Sequence, residues 1–125
     1  AIPSLKDKLT ANAVRVPTPN GSLAIMNLTL KKPIKDLAAM NEMIRKAALE
    51  GELVNQIHYQ VDPELVSSDI IGDTCCSVFD SNATIVAPDG KSVVLYTWYD
   101  NEFGYTKQVI RLAKHVTKVR RLVYY

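Results

Sequence analysis

The sequence lacks the long apolar runs that anchor a protein in a membrane. No stretch approaches the roughly 18 consecutive apolar residues that a spanning helix needs, so no membrane partner is predicted. The first residues, 1–7, have neither a basic region nor an apolar core, which argues against a signal peptide. The chain also begins without Met, which suggests that it was cut from something longer or was processed. Apolar residues make up 47% and charged residues 22%, a balance typical of one soluble globular domain.

Cysteine and histidine are scarce, with two of each in the 125 residues. Cys75 and Cys76 are adjacent, and a disulfide between such neighbours would be strained, so we expect reduced thiols and a cytoplasmic location. His58 and His115 have no partners at metal-ligand spacing, so no metal site is predicted. Glycine-rich phosphate loops of the GxGxxG or Walker type are missing too. Local sequence therefore supplies no catalytic residue.

Acidic residues are missing from the C-terminal part of the chain. Residues 105–125 hold 6 Lys and Arg without any Asp or Glu, whereas residues 1–104 hold 9 Lys and Arg and 13 Asp and Glu. At helical spacing the basic residues form one stripe: Lys107, Arg111, Lys114 and Lys118. This stripe fits either a polyanion or, more commonly, a solvated helix face. The aromatic residues that a single-strand binder interleaves with its basic residues are missing, which argues against a nucleic-acid partner.

The patterns that are present predict an α+β fold, with a mostly antiparallel sheet and helices packed on one face. Strands are predicted at 10–16, 22–30, 57–61, 76–80, 84–86 and 93–98. Helices are predicted at about 36–50 and 103–117, and the second carries an apolar stripe of Tyr105, Val109, Leu112 and Val116. The turn Pro-Thr-Pro-Asn-Gly at 17–21 predicts that the first two strands pair as an antiparallel hairpin.

Residues 98–105, with the sequence WYDNEFGY, form the corner between the last strand and the last helix. Asp100 or Asn101 can cap that helix by accepting hydrogen bonds from backbone N–H groups. The side-chain amide of Asn101 suits recognition of another amide, and Tyr99 and Tyr105 can pack on a flat ring. Gly104 lets another group approach the backbone. A capped helix start with core aromatic residues remains the alternative interpretation.

Arg15 precedes the proline-rich turn at the end of the first predicted strand. A guanidinium group is always charged and binds phosphate or carboxylate through two parallel hydrogen bonds. Arg15 is therefore either an anion-binding residue or one partner of a surface salt bridge.

Three segments together resemble the C-terminal part of the catalytic domain of phosphorylating glyceraldehyde-3-phosphate dehydrogenases. They are LTANAVRVPTPN at 9–20, LVSSDIIGD at 65–73 and WYDNEFGY at 98–105. The resemblance covers residues 1 to about 115, and the whole of 1–125 is interpreted as one piece of that domain. It implies a two-domain homo-oligomer, tetrameric in the family, that uses NAD or NADP, a triose-phosphate substrate and inorganic phosphate.

The resemblance assigns roles to a few residues only. It implies that Arg15 binds substrate phosphate or inorganic phosphate, that Asn101 binds the nicotinamide carboxamide, and that Tyr105 lies beside the nicotinamide ring. The family's nucleophilic cysteine, in a Ser-Cys-Thr-Thr-Asn motif, and its activating histidine have no match here, nor do the glycines of its dinucleotide-binding domain. We therefore expect a fragment that is inactive and binds no cofactor alone. The alternatives are a non-catalytic oligomerisation module and a fragment of the related erythrose-4-phosphate dehydrogenase.

Overall fold

The computed structural model describes residues 2–119, so Ala1 and the predicted patternless tail beyond Val119 lie outside the described residues. After a 3-10 turn at Pro3–Leu5, five strands and two helices follow in chain order. They are β1 (Ser22–Thr29), α1 (Leu37–Leu49), β2 (Ile57–Gln60), β3 (Ser77–Asp80), β4 (Ile85–Val86), β5 (Ser92–Tyr99) and α2 (Phe103–Val116). No helix within residues 2–119 is both long and apolar enough to cross a membrane.

Strand β5 organises the sheet. On one side it pairs with β1 along its whole length, in antiparallel register from Ser22 opposite Tyr99 to Thr29 opposite Ser92. On the other side β4 pairs with its first half and β3 with its second half, both antiparallel. Strand β2 then lies parallel to β3 at the far edge. This open mixed sheet, mostly antiparallel, confirms the predicted α+β class.

The core lies between the sheet and α1. Met40 of α1 is buried, as are Val78 and Phe79 of β3 and Val93 of β5, and α1 packs on β2 and β4. The predicted start of α1 is confirmed, because the Asp36 carboxylate accepts a hydrogen bond from the Ala39 N–H at 2.8 Å and caps the helix. The remaining predicted strands and the second helix are confirmed to within about two residues at each end.

The predicted strand at 10–16 is wrong, and so is its hairpin with the following strand. These residues form no strand, and Val14 is 83% exposed. The alternation of polar and apolar residues was misleading because a strand also needs a neighbour for its N–H and C=O groups. The neighbour of β1 is β5 instead, which pairs with it from Thr29 opposite Ser92 to Ser22 opposite Tyr99 and lies far away along the chain.

Helix α2 contacts the rest of the described chain through loops. Gly104 is buried against the backbone of Cys75 and Cys76, Gln108 Nε2 donates to the Asn55 carbonyl at 3.1 Å, and Arg111 donates to the Glu52 carbonyl at 3.4 Å. The apolar stripe of α2 is solvent-exposed, with exposed fractions between 45% and 72% for Tyr105, Val109, Leu112 and Val116. The helix is thus attached through residues of its first three turns.

Candidate functional site

Asp100 is the centre of the corner between β5 and α2. Its side chain is 1% exposed and accepts four hydrogen bonds. One carboxylate oxygen, Oδ1, accepts from the backbone N–H groups of Glu102 and Phe103 at 2.7 and 2.8 Å. The other, Oδ2, accepts from Asn20 Nδ2 and from the Gly72 N–H, both at 2.8 Å. Asp100 therefore accepts hydrogen bonds from the backbone N–H groups at the start of α2, as predicted, although the N-cap position itself is Glu102. It also joins two distant loops to this helix start.

These hydrogen bonds keep the Asp100 carboxylate ionised. Burial alone raises the pKa of a carboxyl group, but the donors from Gly72, Phe103, Glu102 and Asn20 outweigh it and lower the pKa of Asp100 below its ordinary value of 3.8. The buried charge is thus stabilised by oriented dipoles of neutral groups, which include the first N–H groups of a helix.

An open cleft of about 310 Å³ lies beside this carboxylate. It is lined by Cys76, Tyr99, Asp100, Asn101, Tyr105 and Gln108. The structure thus brings together two of the three predicted binding residues, Asn101 and Tyr105. Within the cleft wall, the amide oxygen of Asn101 accepts a hydrogen bond from Ser22 Oγ of β1 at 2.9 Å. An amide, two phenol rings and an open mouth suit a flat ligand that carries a polar substituent.

Arg15 lies apart from that cleft. It belongs to the exposed segment before the proline-rich turn and is not among the residues that line the cleft. Within residues 2–119 it forms no hydrogen bond or ion pair, so the predicted surface salt bridge is not formed there. Among residues 2–119, Arg15 is connected to the site through the chain, since Asn20, five residues later, is hydrogen-bonded to Asp100.

The two cysteines are neighbours just before β3, where their backbone faces Gly104 of α2, but they differ in environment. Cys75 is half-buried, and burial together with the nearby Asp73 carboxylate raises the pKa of its thiol. Cys76 is exposed in the cleft, and its thiol donates to the Gln56 carbonyl at 3.4 Å. His58 Nδ1 lies 2.5 Å from Asp73 Oδ2, a pair that sequence spacing did not indicate. Within residues 2–119 no three such side chains form a metal-binding group.

Sequence reasoning missed the partners that hold the corner. Asn20, Gly72 and Ser22 approach Asp100 and Asn101 from positions 80, 28 and 79 residues away along the chain. The only sequence signal for the first two was their presence in the segments 9–20 and 65–73 that carry the family resemblance. Ser22 lay outside those segments.

Comparison with known proteins indicates the same family as the three sequence segments. Residues 1–101 match the family described as glyceraldehyde 3-phosphate dehydrogenase, C-terminal domain. A glyceraldehyde-3-phosphate dehydrogenase-like protein of Pseudomonas aeruginosa is 46% identical over 119 residues, covering 95% of this chain and 25% of the relative. Glyceraldehyde-3-phosphate dehydrogenases of Escherichia fergusonii and Borreliella burgdorferi are 43% and 40% identical, covering 94% of this chain and 34% of each relative. The chain thus spans a quarter to a third of the length of these relatives.

Proposed function

This chain belongs to the family of glyceraldehyde 3-phosphate dehydrogenase C-terminal domains, and from that premise we propose that it is a piece of a phosphorylating dehydrogenase. In this proposal residues 1–125 are the C-terminal part of the catalytic domain of a cytoplasmic, homo-oligomeric glycolytic oxidoreductase. They contribute contacts for phosphate and for the nicotinamide of NAD or NADP. The dinucleotide-binding domain and the nucleophilic cysteine come from chain outside these residues.

The observation that carries this proposal is the convergence of the three family-like segments on one carboxylate. Asn20 belongs to the first segment, Gly72 to the second and Asp100 to the third, and hydrogen bonds of 2.8 Å join Asp100 to both of the others. Segments far apart in sequence are thereby fixed around the cleft that contains Asn101 and Tyr105. A site built from several distant segments on a rigid scaffold is what a binding function requires.

The cleft fits one part of a dinucleotide cofactor. A volume of about 310 Å³ is at the low end for ligand pockets, enough for a nicotinamide ring and its substituents but not for the whole cofactor. Tyr99 and Tyr105 would face the ring, and Asn101 would hydrogen-bond its carboxamide. When bound, the nicotinamide accepts a hydride from the substrate. Arg15 would bind phosphate as a doubly hydrogen-bonded cation.

We expect the purified chain to show no turnover when NAD or NADP is supplied with glyceraldehyde 3-phosphate and inorganic phosphate. The reason is chemical, since neither cysteine stands in the family's nucleophile motif and neither histidine matches the activating one. The measurement is absorbance of the reduced nicotinamide, with erythrose 4-phosphate as a second substrate and a full-length relative as the positive control. Turnover by the chain alone with either aldehyde would show that it contains the essential groups.

A non-catalytic role in oligomerisation is the second candidate function. It is favoured by two apolar side chains that one face of β1 leaves exposed, Leu23 at 37% and Ile25 at 53%, and by the apolar stripe of α2. Exposed apolar patches are typical of protein interfaces. We therefore expect the chain to self-associate in sedimentation-velocity experiments as its concentration rises. A monomer at every concentration would rule out this role.

A further inference from the structure

The amide of Asn101 is held from one side by a neighbouring strand. Ser22 is the first residue of β1 and lies opposite Tyr99 in the register with β5. From there its hydroxyl donates to Asn101 Oδ1 at 2.9 Å, so the contact links the start of β1 to the residue that follows Asp100. The hydrogen bond therefore connects the sheet to the wall of the cleft.

Ser22 is itself held firmly. The Asn20 side chain donates to Asp100 Oδ2 and accepts from the Gly21 N–H, each at 2.8 Å, so the two residues before Ser22 are anchored to the same corner. On its other side Ser22 enters a strand paired along its whole length with β5. The hydroxyl thus has a defined position relative to Asn101.

In this contact the oxygen of the Asn101 amide is directed at Ser22. A carboxamide has one acceptor, the oxygen, and one donor group, the NH₂. With Oδ1 engaged by Ser22, Nδ2 lies on the opposite side of the group, and the hydrogen bonds formed within residues 2–119 leave it free. Asn101 lines the cleft, so its open polar group is a donor.

We propose that Ser22 is a positioning residue that orients Asn101, so that Nδ2 donates to a carbonyl oxygen of the ligand in the cleft. The ligand part of this inference rests on the proposed function, in which that oxygen belongs to the nicotinamide carboxamide. Without the Ser22 hydroxyl the amide turns about its Cβ–Cγ bond, and orientations that direct Oδ1 at the ligand become populated. Losing one such hydrogen bond lowers ligand affinity by roughly five- to tenfold.

The test uses NMR signals of the side-chain amide of Asn101 in the 125-residue chain. Four proteins are compared: wild type, Ser22→Ala, Ser22→Thr, which keeps a hydroxyl, and Thr29→Ala, which removes a hydroxyl from the exposed far end of β1. In the ligand-free chain we expect an ordered Asn101 amide in wild type, Ser22→Thr and Thr29→Ala, and a mobile one in Ser22→Ala. Unchanged backbone signals of the sheet would show that Ser22→Ala is folded.

The second arm is titration with oxidised nicotinamide mononucleotide, which lacks the adenosine half of the cofactor. Since the chain alone is not expected to hold the cofactor, the mononucleotide is titrated to concentrations on the order of millimolar, at which a very weak contact is still detected. In that range we expect Asn101 and Tyr105 signals to shift in wild type, with affinity roughly five- to tenfold lower in Ser22→Ala and within twofold of wild type in the two control variants. An analogue with an acetyl group in place of the carboxamide keeps the carbonyl oxygen and loses the NH₂. It should bind wild type within about twofold of the parent compound, since only the carbonyl is needed.

The outcomes separate the two proposals. An Asn101 amide that stays equally ordered in Ser22→Ala would overturn the positioning role, whatever the ligand does. Equal affinity of wild type and Ser22→Ala, or loss of binding by the acetyl analogue, would overturn the orientation assigned to Nδ2. If the mononucleotide shifts no cleft signal in wild type, the proposed nicotinamide contact fails, and the ligand-free measurement alone decides whether Ser22 orients Asn101.

Discussion

Replacing Asp100 with alanine is expected to lower the free energy of unfolding by about 3–5 kcal/mol, a large fraction of the roughly 5–15 kcal/mol typical of a domain. The carboxylate accepts four hydrogen bonds, and alanine leaves all four donors without a partner. Hydrogen bonds to a charged group contribute about 1.5–3 kcal/mol each, but their effects overlap because they share one side chain. Two of the donors are the N–H groups of Glu102 and Phe103 at the start of α2, so part of the loss resembles that of a helix cap.

Urea unfolding followed by circular dichroism measures this loss, and two variants control it. Glu102→Gln removes one negative charge in the same turn. Because the Glu102 side chain forms no hydrogen bond within residues 2–119, this substitution should lower the free energy of unfolding by less than about 0.5 kcal/mol. Asp100→Asn keeps the shape of the side chain but turns one acceptor oxygen into a donor that faces N–H groups, so it should also destabilise. If Asp100→Ala costs no more than Glu102→Gln, the four contacts do not hold the corner.

The acid dependence of stability provides an independent check on the same carboxylate. Its hydrogen bonds lower the pKa of Asp100 below the ordinary value of 3.8, so on acidification the unfolded chain takes up this proton first. The stabilisation from Asp100 is therefore fully present above about pH 4 and disappears as pH falls through the lowered pKa. The difference in stability between wild type and Asp100→Asn should shrink over that range. A difference that stays constant down to pH 2 would contradict the sign of this shift.

A structural feature could be predicted from the sequence when the residues that determine it lie close together along the chain. The start of α1 was predictable because Asp36 caps it three residues before the N–H that it binds. The cap of α2 by Asp100 was predictable for the same reason. The strand at 10–16 was not, because local alternation cannot say whether a partner strand is available.

In the candidate site, too, the features set by nearby residues could be predicted and those set by distant residues could not. The cleft residues Asn101 and Tyr105 lie in one short segment, so the sequence could place them together. The contacts that hold this corner come from Asn20, which bonds Asp100, and from Ser22, which bonds Asn101. Ser22 reaches the corner because β1 pairs with β5 in the register that puts it opposite Tyr99. That register is a property of the folded sheet, and no local pattern contains it.

Replacing Gly104 with valine is expected to destabilise α2 by about 3 kcal/mol, because the helix approaches the chain too closely there to admit a side chain. A Cβ atom at this position would lie 2.9 Å from the Cys75 carbonyl oxygen and 3.3 Å from the Cys76 Cα, both backbone atoms that cannot simply turn away. In an unobstructed helix, Gly→Ala would instead stabilise by about 1 kcal/mol. We therefore expect Gly104→Ala to be destabilising as well, by less than valine.

Hydrogen exchange of the α2 amides measures the destabilisation of this helix directly. Since α2 is attached mainly through its first turns, it can open while the sheet stays closed. Thr106→Val places the same branched side chain at an exposed position of the helix and should leave exchange nearly unchanged. Equal protection in Gly104→Val and Thr106→Val would mean that the close approach does not hold the helix.

Because Cys76 lines the cleft from one side of this contact and Tyr105 and Gln108 from the other, displacing α2 also separates the cleft walls. Gly104→Val should therefore abolish the shifts that nicotinamide mononucleotide induces at Tyr105, even though no side chain that lines the cleft has been changed.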